Sequence, residues 1–397
     1  MKPHGIRVAG ILTSAALVTA ALGAASAGAQ ESVEIGLFTP LSGASSVVGL
    51  DMQRGVELAI DRVNAGYAVP MQDGSTAMIG PGLLGAPVNL IVEDDESRPE
   101  AAMDAVRKLV NVDHVAVILG EYSSGRTLPT GQFTNEAGVP HIAIGANAET
   151  LRDIGPYFFD AIGLAGLQGP QLVQMAIEET GARTIGTFFP NNPYGVGLEI
   201  AVCDAAEAMG IQCVSQVTYE EQKTDYRPEL RQLTAPDPDA VVFFAYGADA
   251  TLIMRQAFEL GVDMAGTWFA AEMSNWTSDV ADIPQVAEGI RGIEHAVSGA
   301  FYETQYLSAY RNAYGEEPLT AFGAFGYDAA MLAALAINAA GSTDPDAIRD
   351  ALLEVSQTYQ GITGNLAFDE DGMRLHQEYG AFIYTNGALE PYTPTAD

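Results

Sequence analysis

Short apolar runs alternate with amphipathic stretches along most of this chain. Runs over 33–38, 88–92, 115–119 and 140–144 are short enough for buried strands, and most lead into apolar residues at helical spacing. Met52, Val56, Leu58, Ala59, Ile60 and Val63 place a helix over 49–63. A second helix is predicted over 99–112, and Leu128, Phe133 and Ala137 mark a third. The pattern resumes with helices over 167–180, 195–209, 226–233 and 249–261 and strands over 184–189, 213–218, 240–245 and 267–270. Helices follow over 299–314, 321–340 and 344–355. Strands over 366–368 and 379–384 read as a hairpin through Asp369-Glu370-Asp371-Gly372. Residues 64–86, rich in Gly and Pro, are long for a connection inside an α/β unit and read as a surface excursion with a small hairpin. Repeated β-α units predict an α/β fold of two Rossmann-like lobes, each with a parallel sheet and right-handed crossovers.

Within this pattern, residues 119–151 hold one device twice. The run ending at Leu119 stops at Gly120, with Ser123-Ser124-Gly125 before the next helix. The run ending at Ile144 stops at Gly145-Ala146-Asn147. Small residues let a ligand approach the backbone, and free N–H groups at a helix start favour an anion such as a carboxylate. Loops from neighbouring strands set those donors side by side, beyond the carboxyl ends of the strands where open α/β sheets bind ligands.

Charge and composition narrow the class. The net charge of −33 deepens by two if Lys2 and Arg7 are removed, which makes nucleic acid a poor partner and fits solubility in a salty medium. Those two residues begin a basic, then apolar leader ending in Ala27-Gly28-Ala29, so a secretory signal peptide is expected over 1–29 with cleavage after Ala29. No later apolar run reaches the roughly 18 residues of a membrane helix. The mature protein is expected to be soluble and exported. Export permits a disulfide between Cys203, on a predicted helix, and Cys213, at the start of the next strand; two free buried thiols are the alternative.

Enzyme signatures are missing. There is no phosphate-binding Walker loop, no dinucleotide fingerprint and no G-x-S-x-G elbow, and the five His carry no paired metal spacing. His141 and His295 read as packing or surface residues. Glu93-Asp94-Asp95-Glu96 reads as a solvated strand-end turn with a capping Asp. No metal or cofactor is expected, and two α/β lobes without catalytic chemistry point to a cleft that binds and closes.

Several landmarks, in order, carry a resemblance. Thr39-Pro40-Leu41-Ser42-Gly43 is followed by Gly49 and Gly55-Val56-Glu57-Leu58-Ala59. Val92-Glu93-Asp94-Asp95, Asn192-Pro193-Tyr194-Gly195-Val196-Gly197 and Gly326-Tyr327-Asp328-Ala329-Ala330 come later. Over residues 31–390 the chain resembles the periplasmic leucine/isoleucine/valine-binding proteins that serve ABC importers. The resemblance implies the type I periplasmic binding fold, with an N-terminal lobe of 31–157 plus 297–365, a C-terminal lobe of 158–296 plus 366–397, and three hinge crossovers. It implies a non-enzymatic, monomeric periplasmic protein that hands a small-molecule ligand to an inner-membrane permease. A ligand sensor or an exported hydrolase are the other classes.

By the same resemblance, Ser124 binds the ligand carboxylate and Gly145 and Ala146 offer backbone atoms. Asn147 stands where amino-acid binders usually carry Thr, and its amide both donates and accepts. Tyr194 and Tyr246 line the cleft from the second lobe, and Glu272 meets the ligand ammonium. Val48 replaces an aromatic residue of leucine binders, and Ser97 and Ser123 stand where some relatives have a cysteine pair. Tyr122 faces the same pocket, and Phe325 or Phe322 either lines it or is helix core. The expected ligand is an α-amino acid, branched aliphatic first and a larger or aromatic one next, with amides, urea and aromatic acids as the family's other ligands. A buried unpaired carboxylate is costly, so Glu272 itself argues for a cationic nitrogen on the ligand.

Overall fold

The computed structural model describes Met1 and residues 32–394; the expected signal peptide lies outside the described residues. Two sheets form the frame. In the first, all neighbours are parallel, in the spatial order Val88–Asp94, Val33–Thr39, Val117–Leu119, His141–Ala143, Phe158–Asp160. The second runs Ala388–Pro391, Tyr379–Thr385, Arg291–His295, Trp268–Ala270, Ala240–Phe243, Thr184–Pro190, Gln212–Tyr219. Its five inner and far strands are parallel, but Tyr379–Thr385 and Ala388–Pro391 join antiparallel, so this sheet is mixed where an all-parallel one was expected. The small hairpin inside 64–86 forms from Tyr67–Pro70 and Thr76–Ile79. Cys203, on the helix Pro193–Ala208, and Cys213, on the next strand, are joined by a disulfide.

The first lobe is built from two distant pieces of chain. The helix Ser46–Ala65 packs on the helix Phe322–Ala340, and glycines bring their backbones together: a Cβ on Gly55 would sit 1.8 Å from the Gly323 carbonyl oxygen. Asp51 is buried beside this contact. It accepts hydrogen bonds from the Leu319 and Thr320 amides, the Thr320 hydroxyl and the Tyr310 hydroxyl, fixing the entry to the second helix. The helix Phe322–Ala340 is apolar enough over its 19 residues to span a membrane, a property masked in the sequence by interspersed Gly, Asp and Asn. Here it is the core of the lobe.

Several boundaries differ from expectation. Phe158–Asp160 pairs with His141–Ala143, so the first crossing falls after Asp160 and not at 157. Leu366 and Phe368 do not pair with 379–384. Phe368 bridges back to Arg374, Met373 bridges Asp160, and the Phe368 ring packs on Phe159 at 5.5 Å. Apolar burial against the first lobe thus keeps 366–374 there, and the third crossing lies near 375–378 and not at 365. Arg291–His295 is a strand the periodicity missed. The expected helix over 299–314 is broken by a π-turn at Glu303–Leu307. The turn over 93–96 is only partly solvated. Asp94 caps it, accepting from the Leu41, Ser42 and Glu96 amides, while Asp95 is fully buried.

His141 is buried on its strand, with Nε2 2.6 Å from the Gly120 carbonyl and Nδ1 3.0 Å from Thr134 Oγ1. Burial lowers its pKa from 6.5 to about 4 despite the Gly120 bond. The unfolded chain therefore binds a proton that the fold refuses, and stability tied to this residue falls as pH drops through that window, by about 3 kcal/mol at its acid end. The stability advantage of the wild type over His141→Gln is expected to shrink by that order between pH 7 and 4.5, measured by denaturant titration. Gly55→Ala is expected to cost about 3 kcal/mol or more in the same assay, because backbone on the facing helix cannot yield to the added methyl; an unchanged midpoint would contradict the close helix contact.

Candidate functional site

The two small-residue loops do lie together. Ser124 opens the helix Ser124–Ala137, and its Oγ accepts hydrogen bonds from the Asn147 and Ala148 amides at 3.1 Å each, stitching one loop to the other. The Gly145 amide is engaged by the Glu121 carbonyl. Gly145 has a steric role as well: a Cβ there would meet Phe322 at 2.9 Å and Tyr122 at 3.0 Å. Ala146 and Asn147 are buried behind it.

A buried ionic cluster holds the first loop in shape. Arg126 donates through Nε to Glu121 Oε1 at 2.8 Å, Glu121 Oε2 accepts from the Ser123 amide, and Asp95 Oδ1 lies 3.6 Å from Arg126. Burial raises the Asp95 pKa, the Glu121 carboxylate adds to it, and together they outweigh Arg126 and carry it up to about 9. At neutral pH the neutral form of Asp95 is thus favoured beside Arg126 and Glu121. A cavity of about 390 Å³ beside it is lined from the first lobe by Ser123 and Arg126 and from the second by Asn192 and Glu221.

The second lobe brings Glu272, at the end of the strand Trp268–Ala270, to face these loops. Its carboxylate is 2% exposed and is hydrogen-bonded within the protein. Oε1 accepts from Asn147 Nδ2 at 2.7 Å and Gln168 Nε2 at 2.8 Å, and more distantly from the Tyr194 hydroxyl at 3.4 Å; Oε2 accepts from Asn275 Nδ2 at 3.1 Å. His295 Nε2 stands 3.7 Å from Oε1. Burial alone pushes Glu272 up, but His295, Gln168 and Asn147 together hold it below the usual carboxylate range. The premise that this carboxylate lacks a partner therefore fails: side-chain amides already serve it.

The remaining expected residues divide. Tyr194 donates to Gln168 Oε1 at 2.8 Å, and its ring meets Phe244, which in turn meets Tyr246. Tyr246 crosses the cleft to Tyr122, with ring centroids 5.6 Å apart. Tyr122 also abuts Phe322 at 5.0 Å. Phe322 and Phe325 both flank His295 and are fully buried on the core helix Phe322–Ala340. Val48 is core of the first lobe. Ser97 is spent inside the first lobe, donating to the Ser42 carbonyl and accepting from the Ser45 amide.

Sequence reasoning missed Gln168, Asn275, His295 and Tyr379. His295 was readable in principle, because it ends a parallel strand, and side chains at such ends face the crevice. The strand itself went unseen. Gln168 and Asn275 follow turns that carry no periodic signal.

Two α/β lobes, chain crossings between them, and a polar site at the carboxyl ends of both sheets define a two-lobed binding protein of the type I periplasmic class. The chain belongs to the family described as periplasmic binding protein, which matches residues 32–387. It is 27% identical over 349 residues, 87% of each chain, to the leucine-, isoleucine-, valine-, threonine-, and alanine-binding protein of Pseudomonas aeruginosa. Among solved structures, the leucine binding protein LivK of Thermotoga maritima aligns with TM-score 0.79 and 23% identity, over 91% of this chain and 98% of that one. The substrate-binding protein LivJ of Streptococcus pneumoniae, in complex with isoleucine, aligns at 0.77 and 25%, over 90% and 98%. A solute-binding protein of R. palustris in complex with benzoate aligns at 0.75 and 19%, over 91% and 95%. The chain is thus a substrate-binding protein of the LivJ/LivK type, in a family of non-enzymatic ligand binders whose place is the periplasm.

The cluster under the first loop gives a paired test. Removing the cation by Arg126→Ala breaks the buried pair with Glu121 and is expected to cost about 3–5 kcal/mol. Asp95→Asn replaces a group that is already neutral and is expected to change stability by less than about 1 kcal/mol at pH 7. Equal losses in thermal unfolding would show that Asp95 is ionised.

Proposed function

We propose that this protein captures an α-amino acid, branched-chain or larger apolar and aromatic, between its lobes and delivers it to the permease of an ABC importer. The observation that carries this reading is Glu272, a buried carboxylate kept ionised in the cleft and opposed by the Ser124 and Asn147 loops of the other lobe. The ligand carboxylate lies at the start of the Ser124 helix, with the Ser124 hydroxyl as donor. The ligand ammonium takes the place of the Asn147 amide on Glu272 and leaves Gln168 and Asn275 bound. Asn147, once displaced, turns its carbonyl to the ammonium or its amide to the carboxylate. A ligand that touches both lobes stabilises their closed arrangement by its differential affinity for it. The ligand named for the Pseudomonas aeruginosa relative and the isoleucine in LivJ support an amino acid.

A second reading is a neutral amide, and one observation favours it: Glu272 is already served by three side-chain amides and so does not demand a cation. A thermal-melt screen of the mature chain against amino acids, amides, urea and aromatic acids separates the two. At 100 times its dissociation constant a true ligand adds about 2.7 kcal/mol to the folded state. Glu272→Gln is expected to weaken an amino acid by at least tenfold, on the order of 2 kcal/mol, and to leave a neutral amide nearly unchanged. Melting shifts with amides alone would overturn the amino-acid reading. Because Glu272 is held below the usual carboxylate range, amino-acid binding is expected to persist into mildly acidic buffer.

A further inference from the structure

His295 is the least explained polar group in the cleft. It is 1% exposed at the end of the strand Arg291–His295. Three aromatic rings enclose it, Phe322 at 5.7 Å, Phe325 at 5.0 Å and Tyr379 at 5.1 Å. Neither ring nitrogen has a hydrogen-bond partner among the described residues, and the Glu272 oxygen at 3.7 Å is too far to count as one. An imidazole carries two ring nitrogens that can hydrogen-bond, and both are unspent inside an apolar wall. Phe322 links it to Tyr122, whose hydroxyl is likewise buried and unpartnered among the described residues.

Two unspent polar groups on one aromatic wall are a specificity device. A site built to hydrogen-bond a ligand group rejects the analogue that lacks it, because its own polar atoms are then left unpaired. A chamber for a purely aliphatic side chain has no use for either group. The rings of Phe322, Phe325, Tyr122 and Tyr379 meanwhile offer flat, edge-rich packing that suits an aromatic ligand. We propose that His295, with the Tyr122 hydroxyl, selects amino acids whose side chain carries a hydrogen-bonding group, a phenol or hydroxyl, over the hydrocarbon of the same shape. This rests on the amino-acid reading above and narrows it.

The test is isothermal titration of two isosteric pairs, tyrosine with phenylalanine and threonine with valine, against the full mature protein. In the wild type the hydroxylated member of at least one pair is expected to bind tenfold or more tightly. In His295→Leu that ratio falls toward one, with both members of a pair shifted alike by the loss of the Glu272 neighbour. Tyr122→Phe removes one oxygen and keeps the ring, so it reads the same ratio if His295→Leu fails to fold. Apolar members binding as tightly as their partners in the wild type, or a ratio unchanged in both variants, overturns the role of His295 while leaving amino-acid binding in place. No binding by any of the four, with a melt shift only from amides or acids, overturns the amino-acid reading and this inference together.

Discussion

Everything in the cleft depends on one buried charge. An ionised carboxylate taken out of water is costly unless donors replace its hydration. Glu272 recovers them from residues far apart in the chain: Asn147 from a loop of the first lobe, Gln168 just past the first crossing and Asn275 from its own strand end, with His295 at the second crossing 3.7 Å away. No short segment could supply this set. The carboxylate stays charged only when both lobes and two crossings are in place, so the site and the hinge are one construction.

The hinge has its own anchor. Arg374 is buried and donates to the carbonyls of Ala161, Thr363, Asn365 and His376, tying the first crossing to the third. Burial brings it down to about 10, so it remains a cation. Asp328, on the core helix of the first lobe, accepts from the Tyr359 hydroxyl, the Ile362 and Thr363 amides and the Thr363 hydroxyl. This gives the Gly326-Tyr327-Asp328 landmark a physical meaning. Its glycine permits the helix to approach Met52, and its acid pins the chain that leads to Arg374.

These relations also mark what a sequence discloses. The repeating strands and helices were legible because each carries its own periodicity, and the loop pair at Ser124 and Gly145 was legible because small residues after a buried strand have few other uses. The strands Phe158–Asp160 and Arg291–His295 were not. The first is three residues long, and the second includes Arg, Gly and Glu where a buried run was sought. Residues 366–374 were assigned to the wrong lobe because their partner, Asp160, is remote in sequence. Glu272 was found through resemblance, but its partners were not, since hydrogen bonding between side chains from four segments has no local signature.

Asn147 is where fold and recognition meet. A Thr at that position could not reach across the cleft as an amide does; Asn donates directly to Glu272 and so contributes a bond between lobes from the protein's own side chains. That bond joins the two lobes, and on the amino-acid reading the ligand ammonium replaces it. Exchanging a neutral donor for a charged one at a desolvated carboxylate is favourable, because charge-assisted hydrogen bonds are about twice as strong as neutral ones. On the same reading a neutral ligand gains no such difference and derives its affinity from the rest of the cleft. On the amino-acid reading, the same contact that joins the lobes discriminates by ligand charge and leaves discrimination among amino acids to the residues on the far side of Glu272.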